Sequence, residues 1–400
     1  MTAGLTATLP APSGPPETTG GIGALWSGVR TVARLELRQR VRSSRWFVVL
    51  GIWVVVLGGL TMLIRWAVQR SYEVGLNPEG VGGDALSQAQ IHARDADAGR
   101  MIFGIIVFLV LSLGGLVAPA LSATSVNGDR SAGVLATLQT TLLTPTQIVL
   151  GKLAAAWLVG LALLAAAAPF IAWAYLDGGT PALRLLVVLA ILALTLLVVC
   201  AVGLGYSALT ARTSSSAVLT YLTVALLYLG LPLLFALSFP LVTATDKVTV
   251  SSLEPINPDD TSTNPALHCV TAVESVSRPH TERSWWLLAA SPYVLLADAS
   301  PRIDPASTVN GSSSGSDPLS VIRQGVREAR LGPAPIDGNC GNLEQDSQLS
   351  AQRGDQRDAL GVTWPYGLAA NLLLGLAFTL TAIRRLRSPA RSLPRGTRVA

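Results

Sequence analysis

Apolar and polar positions fall in blocks along this chain. Six apolar runs, at 46–64, 101–122, 150–176, 183–209, 217–242 and 364–383, are long enough to cross a membrane. About 30 Å of hydrocarbon takes about 20 helical residues. Ahead of the first run, Trp26, Val29, Val32, Ala33 and Leu37 share one helical face, while Arg30, Arg34 and Arg38 stack at i, i+4 on another. That predicts an amphipathic interfacial helix over 23–45 rather than a solvated charged linker. Residues 1–22, rich in Pro, Gly and Thr, predict a disordered tail.

The join between the second and third runs, residues 127–152, is longer than a turn requires. Val134, Leu135, Leu138 and Leu142 recur at helical spacing and predict a short amphipathic helix. Thr144-Pro145-Thr146-Gln147 reads as a helix start, with Thr144 as N-cap, Pro145 at the first helical position and Gln147 as capping-box partner. The helix so begun runs into the third span. A surface helix joined rigidly to two spans is either a lever for something outside the membrane or an interfacial anchor. A polar segment, 243–363, separates the fifth and sixth runs. Its apolar stretch at 285–298 is too short to span and is broken by Pro292. It is either a re-entrant or interfacial hairpin, or the buried core of a small domain. Pro232 and Pro240 predict a kink in the fifth span.

Composition agrees with this pattern. Of 400 residues half are apolar and 13% are charged, where soluble domains carry about 25%. The fold class is therefore an all-α polytopic membrane protein with six transmembrane helices, spans one to five within 46–242 and the sixth at 364–386. The basic residues cluster at both ends, including the tail 387–400. Basic flanks stay on the cytoplasmic side, and six spans return the chain to its starting side, so both rules place both termini in the cytoplasm. The 127–152 join is then cytoplasmic and the 243–363 segment external. The net charge of +5 fits membrane lipids better than nucleic acid as a partner. Arginine outnumbers lysine heavily, as a GC-rich bacterial genome explains, and the localisation expected is a bacterial cytoplasmic membrane. Cys269 and Cys340 both fall in the external segment, where a disulfide persists. They pair or remain buried thiols; Cys200 lies inside the fourth span.

Catalytic constellations are hard to find. Gly311-Ser312-Ser313-Ser314-Gly315 matches G-x-S-x-G, but in a low-complexity stretch rather than between strand and helix. The three histidines lack metal-ligand spacing. Gly151-Lys152 lacks the rest of a P-loop, so the chain has no ATP site of that kind. The span interiors hold no charged residue, which argues against ion-coupled transport. A membrane-embedded enzyme would need clustered polar groups at a membrane face. A receptor-like protein presenting its external segment remains the other alternative.

The order of elements resembles the permease subunit of an ATP-binding-cassette exporter of the type-2 permease family. The local match is Asp129-Arg130-Ser131-Ala132-Gly133-Val134-Leu135, then Leu143-Thr144-Pro145, then Leu150-Gly151-Lys152. Family members carry an acid-Arg-x-x-Gly-x-Leu pattern, a Leu-x-x-Pro turn and a Gly-Lys at the head of the third span. This sequence departs at Ser131, where a second acid is common, and its external segment is longer than usual. The resemblance implies a coupling helix that docks on a separate cytoplasmic ATPase, through Asp129, Arg130, Gly133, Val134, Leu135, Leu138, Leu142 and Pro145. It also implies a second permease, identical or similar, with the second and fifth spans facing the path. The chain itself would be non-catalytic and bind no cofactor, ATP and Mg belonging to the ATPase.

Overall fold

The computed structural model describes residues 21–75, 88–133, 143–178, 182–255, 267–300, 318–334 and 343–387. An amphipathic helix α1 (Ile22–Val41) precedes α2 (Ser44–Gly75), α3 (Gln88–Ser122) and the short α4 (Ser125–Ser131). The long helices α5 (Pro145–Gly178) and α6 (Ala182–Leu209) follow. The fifth apolar run is broken into α7 (Thr213–Ala225), a π turn (Leu226–Gly230), α8 (Leu231–Leu237) and α9 (Phe239–Val242). Pro232 has no N–H to give the carbonyl four residues back, and the helical ladder widens just before it. The last apolar run is the C-terminal helix Trp364–Arg387. Among the described residues six helices are long and apolar enough to cross a membrane, and the protein is a helical polytopic membrane protein.

Helices α3, α5 and α6 form the centre, where Val107, Ile148, Leu192 and Leu204 are fully buried. Indole N–H groups cross-link it: Trp53 donates to the Leu163 carbonyl at 3.0 Å and Trp157 to that of Ala193 at 2.8 Å. Buried donors in hydrocarbon need such partners. Helix α2 and the fifth span lie outside this centre. Most of their exposed residues, among them Val55, Met62, Leu222, Leu229 and Leu233, are apolar.

The segment between the fifth and sixth spans holds more structure than its polar composition predicts. Strands β1 (Thr243–Pro255) and β2 (Leu267–Pro279) form an antiparallel ribbon in register from Thr243↔Pro279 to Pro255↔Leu267. It is the one departure from helical architecture among the described residues. β-Branched residues in both strands, Val248-Thr249-Val250 and Val270-Thr271 with Val273, favour it. The chain then turns through α10 (Trp286–Ala289) and α11 (Pro292–Ala299) to α12 (Pro318–Leu331), α13 (Leu343–Ala359) and α14, the last span.

Helices α10 and α11 pack inward among the spans. Tyr293 stacks on Phe108, meets Tyr228 edge-on, and its hydroxyl lies 2.9 Å from that of Ser112. Asn371 of α14 donates to the Ala290 carbonyl at 2.9 Å. At Gly367 a Cβ would collide with the Ala289 carbonyl oxygen, so the two backbones touch there. Asp298 ends this turn. Its side chain is 3% exposed and pairs with Arg327 at 3.1 Å. It also accepts the N–H groups of Thr363 and Trp364 at 2.5 and 3.1 Å, capping α14 from a distant part of the chain.

Cys200 is free and buried, and Cys269 is disulfide-bonded. Cys340 lies outside the described residues. Non-reduced peptide mapping is expected to recover a Cys269–Cys340 linked pair. Closing a loop of about 70 residues stabilises by roughly 4 kcal/mol in the chain-entropy account. Free thiols at both positions would contradict the pairing.

Candidate functional site: a clasp at the basic end

The site grows from the start of α5. Pro145 occupies the first helical position, where its missing N–H costs nothing. The Thr144 N–H donates to Gln147 Oε1 at 2.7 Å, and the Gln147 N–H donates to Thr144 Oγ1 at 3.3 Å. These are the two reciprocal bonds of a capping box. The same glutamine has a second task. Its Nε2 donates to the Ala24 carbonyl at 2.9 Å, tying α1 across the head of α5. Two glycines permit this approach. A Cβ at Gly28 would sit 2.5 Å from the Gln147 side chain, and one at Gly151 would sit 2.5 Å from Val32 Cβ.

One turn beyond Gln147 lies Lys152, its side chain 1% exposed. Its ammonium pairs with Glu36 of α1, and with Asp129 of α4 at 2.5 Å. A lone ammonium buried here would cost several kcal/mol in lost hydration, and removing one partner of such a buried group typically costs 3–5 kcal/mol. The lysine thus binds three elements: the surface helix, the join after the second span and the third span. The expectation of charge-free spans fails at this residue, because Lys152 lies within α5, a helix that counts among the six candidate spans.

Helix α4 is bolted on its other side. Ser207 Oγ accepts the N–H groups of Val126 and Asn127 at 3.0 and 3.1 Å. Ser216 Oγ donates to the Ala123 carbonyl at 2.6 Å. Oriented so that its oxygen meets a donor, the Asn127 amide accepts from Thr210 Oγ1 at 3.1 Å and donates to the Thr210 carbonyl at 2.6 Å. Arg130 reaches that carbonyl at 3.5 Å. Gly133, at φ 72°, ends α4 in the left-handed region where a side chain would be strained. Arg40 of α1 donates to the Leu121 carbonyl at 2.8 Å.

The structure thus gathers Asp129, Arg130, Gly133 and Pro145 around one junction. Val134, Leu135, Leu138 and Leu142 lie outside the described residues. Glu36 and Ser207 are additions that sequence reasoning missed, and the sequence named Gln147 and Lys152 without their partners on α1 and α4. Two of the four left a signal. Glu36 is the one acid between residues 21 and 72, and Lys152 is one of two lysines in an arginine-rich chain.

None of the described residues at this junction is a nucleophile held against a base. It can transmit displacement: a push on α4 is passed through Lys152 to α5, through Glu36 to α1, and through Ser207 to α6. Gly151→Val tests the close approach. Overpacking costs about 1–3 kcal/mol, and both Val32 and the Val29 carbonyl stand in the way. A lowered melting temperature of the purified protein is expected. Gly160→Ala, where a Cβ meets only Leu196 at 3.7 Å, is expected to leave it unchanged or raised. Equal melting of the two variants would contradict this packing.

A family model described as ABC-2 family transporter protein matches residues 30–296 of the 400. The matched stretch takes in most of α1, the first five spans, the clasp, the ribbon and nearly all of the α10–α11 turn. No curated protein matches the chain in sequence.

Proposed function

The chain belongs to the ABC-2 transporter family, and we propose that it is the membrane-spanning permease subunit of an ATP-driven exporter. It performs no chemistry itself. A separate cytoplasmic ATPase binds ATP and Mg and supplies the force. The 127–152 segment is the coupling element on which that ATPase docks. The observation that carries this reading is the Lys152 clasp. A surface anchor needs only an apolar face, whereas this junction commits a buried ammonium and two carboxylates to joining a surface segment to the spans.

In this reading both termini and the clasp are cytoplasmic, and the ribbon is external, in a bacterial plasma membrane. A second permease, identical or similar, completes the path. The exposed apolar flanks of α2 and the fifth span leave room for it. The second span is mostly buried within its own chain, so its part in a shared path is confined to its exposed flank near Leu116. The α10–α11 turn, with Tyr293 set against Phe108 and Tyr228, closes the path from outside.

Two measurements test the proposal. Impermeant labelling of single cysteines in intact cells should mark position 313 and spare position 391; the reverse pattern would overturn the orientation. Reconstitution of the chain with a stand-alone ATPase encoded beside it should raise ATP hydrolysis above that of the ATPase alone. An unchanged rate across a panel of lipids, amphipathic drugs and peptides would argue against an exporter.

A further inference from the structure

Beside the clasp runs a groove of about 730 Å³, lined by Arg30, Arg34, Arg38 and Arg42 of α1 and its extension, with Leu37, Val41 and Leu158 as apolar wall. The four arginines follow an i, i+4 spacing, so their guanidinium groups form a comb along one edge. All four are exposed, and among the described residues no carboxylate pairs with any of them. The rest of α1 behaves differently. Glu36 is held by Lys152, and Arg40 is held by the Leu121 carbonyl. Residues two apart on a helix point to different faces, so Glu36 does not serve Arg34 or Arg38. The comb therefore presents four positive charges that the described residues leave unneutralised.

The opposite wall identifies the partner. Leu158 belongs to α5 and lies six residues beyond Lys152, about 9 Å further along the helix. It is exposed. The groove thus runs from a row of guanidinium groups toward apolar surface on a membrane span. Trp26 and Leu35, also exposed on α1, suit a helix lying at an interface, where amphipathic rings sit at head-group level. A soluble anion would use only the first half of this site. A molecule with an anionic phosphate at one end and an acyl chain at the other uses both.

We propose that this groove binds one anionic phospholipid, its phosphate on Arg34 and Arg38 with Arg30 and Arg42 beside them, and an acyl chain along Leu37, Val41 and Leu158. Guanidinium forks match phosphate oxygens in geometry as well as charge. The lipid braces α1 against α5 beside the Lys152 clasp. The assignment does not depend on what the protein transports.

The test uses the full-length protein, purified in mild detergent and stripped of lipid. Binding of phosphatidylglycerol and of phosphatidylcholine is titrated by native mass spectrometry. Saturable binding of one phosphatidylglycerol is expected, with phosphatidylcholine weaker by at least tenfold. Each basic residue near an anionic surface contributes about fivefold to affinity, so Arg34→Gln with Arg38→Gln should weaken phosphatidylglycerol binding by roughly thirtyfold. Arg34→Lys with Arg38→Lys should retain most of it. Leu158→Trp, which fills the apolar end and touches no arginine, should also weaken it. Equal binding of the two lipids, or glutamine and tryptophan variants that bind as the parent does, would overturn the proposal. Displacement of the lipid by millimolar inorganic phosphate or pyrophosphate would overturn it as well, showing that the comb holds a free anion.

Discussion

Lys152→Ala will uncouple the protein while leaving its spans inserted. The ammonium is the common partner of Glu36 and Asp129. Without it two partly exposed carboxylates, 19% and 27% exposed, repel each other with no cation between them. Losing the bonded partner of such groups costs about 1–3 kcal/mol, roughly five- to a hundredfold in the ratio of clasped to unclasped forms. The spans keep their own internal hydrogen bonds, so membrane abundance should persist. ATP-driven transport should fall to background. Lys152→Met alone should do the same, because it keeps the volume and loses the charge. A triple variant, Lys152→Met with Glu36→Gln and Asp129→Asn, separates stability from coupling. It removes the stranded charges, so the melting temperature should recover much of the loss. Transport should stay low, because neutral groups transmit less force between α4 and α5. Normal transport in Lys152→Ala would dispose of the clasp.

Asp298→Ala should release the turn packed against the opposite end of the bundle. Asp298 is bonded to the Arg327 guanidinium and to two N–H groups at the start of α14. Alanine leaves buried Arg327, for a carboxylate, only the longer, half-exposed pair to Asp358 at 3.6 Å and α14 without its cap, a cost of about 3 kcal/mol. Asp298→Asn keeps the shape and gives up the charge, so its cost should be smaller. The pH dependence has a definite sign. Burial pushes the carboxyl pKa up, but the Thr363 and Trp364 N–H bonds and Arg327 outweigh it, and the value is lowered. The carboxylate's contribution is therefore complete above the usual carboxylate range, near pH 4. It is lost only as pH falls through the lower folded value. Hydrogen exchange of peptides covering 285–300 and 318–331 measures this. The parent protein should stay protected at pH 5 and lose protection only below about pH 4. The alanine variant should exchange rapidly at every pH. Equal protection in both would show that the turn is held by packing alone.

The spans were legible because hydrocarbon imposes length and apolarity together. The start of α5 was legible because a capping box is local: Thr144, Pro145 and Gln147 lie within one turn. Asp129 was legible only through a family pattern, which marks a position without naming its partner. Lys152 pairs with Glu36 across 116 residues of sequence, and no periodicity reports such a contact. The same holds for Asp298, whose partners lie 29 and 65 residues away. The ribbon was missed for a different reason. Its threonines and serines lower the segment's hydropathy, and Asp246 interrupts the two-residue alternation that Val248 and Val250 carry.

The central claim is that residues 127–152 join this permease to an ATPase, and recovery of that ATPase with the purified chain measures it most directly. Leu138→Asp removes the apolar face of the predicted coupling helix while leaving its backbone able to stay helical. Leu138→Pro breaks the helix, at a local cost of about 3 kcal/mol or more. With membrane abundance measured alongside, the parent chain should retain a stoichiometric ATPase, and both variants, at normal abundance, should retain little. Variants that are abundant, keep the ATPase and transport normally would show that the segment is only an anchor.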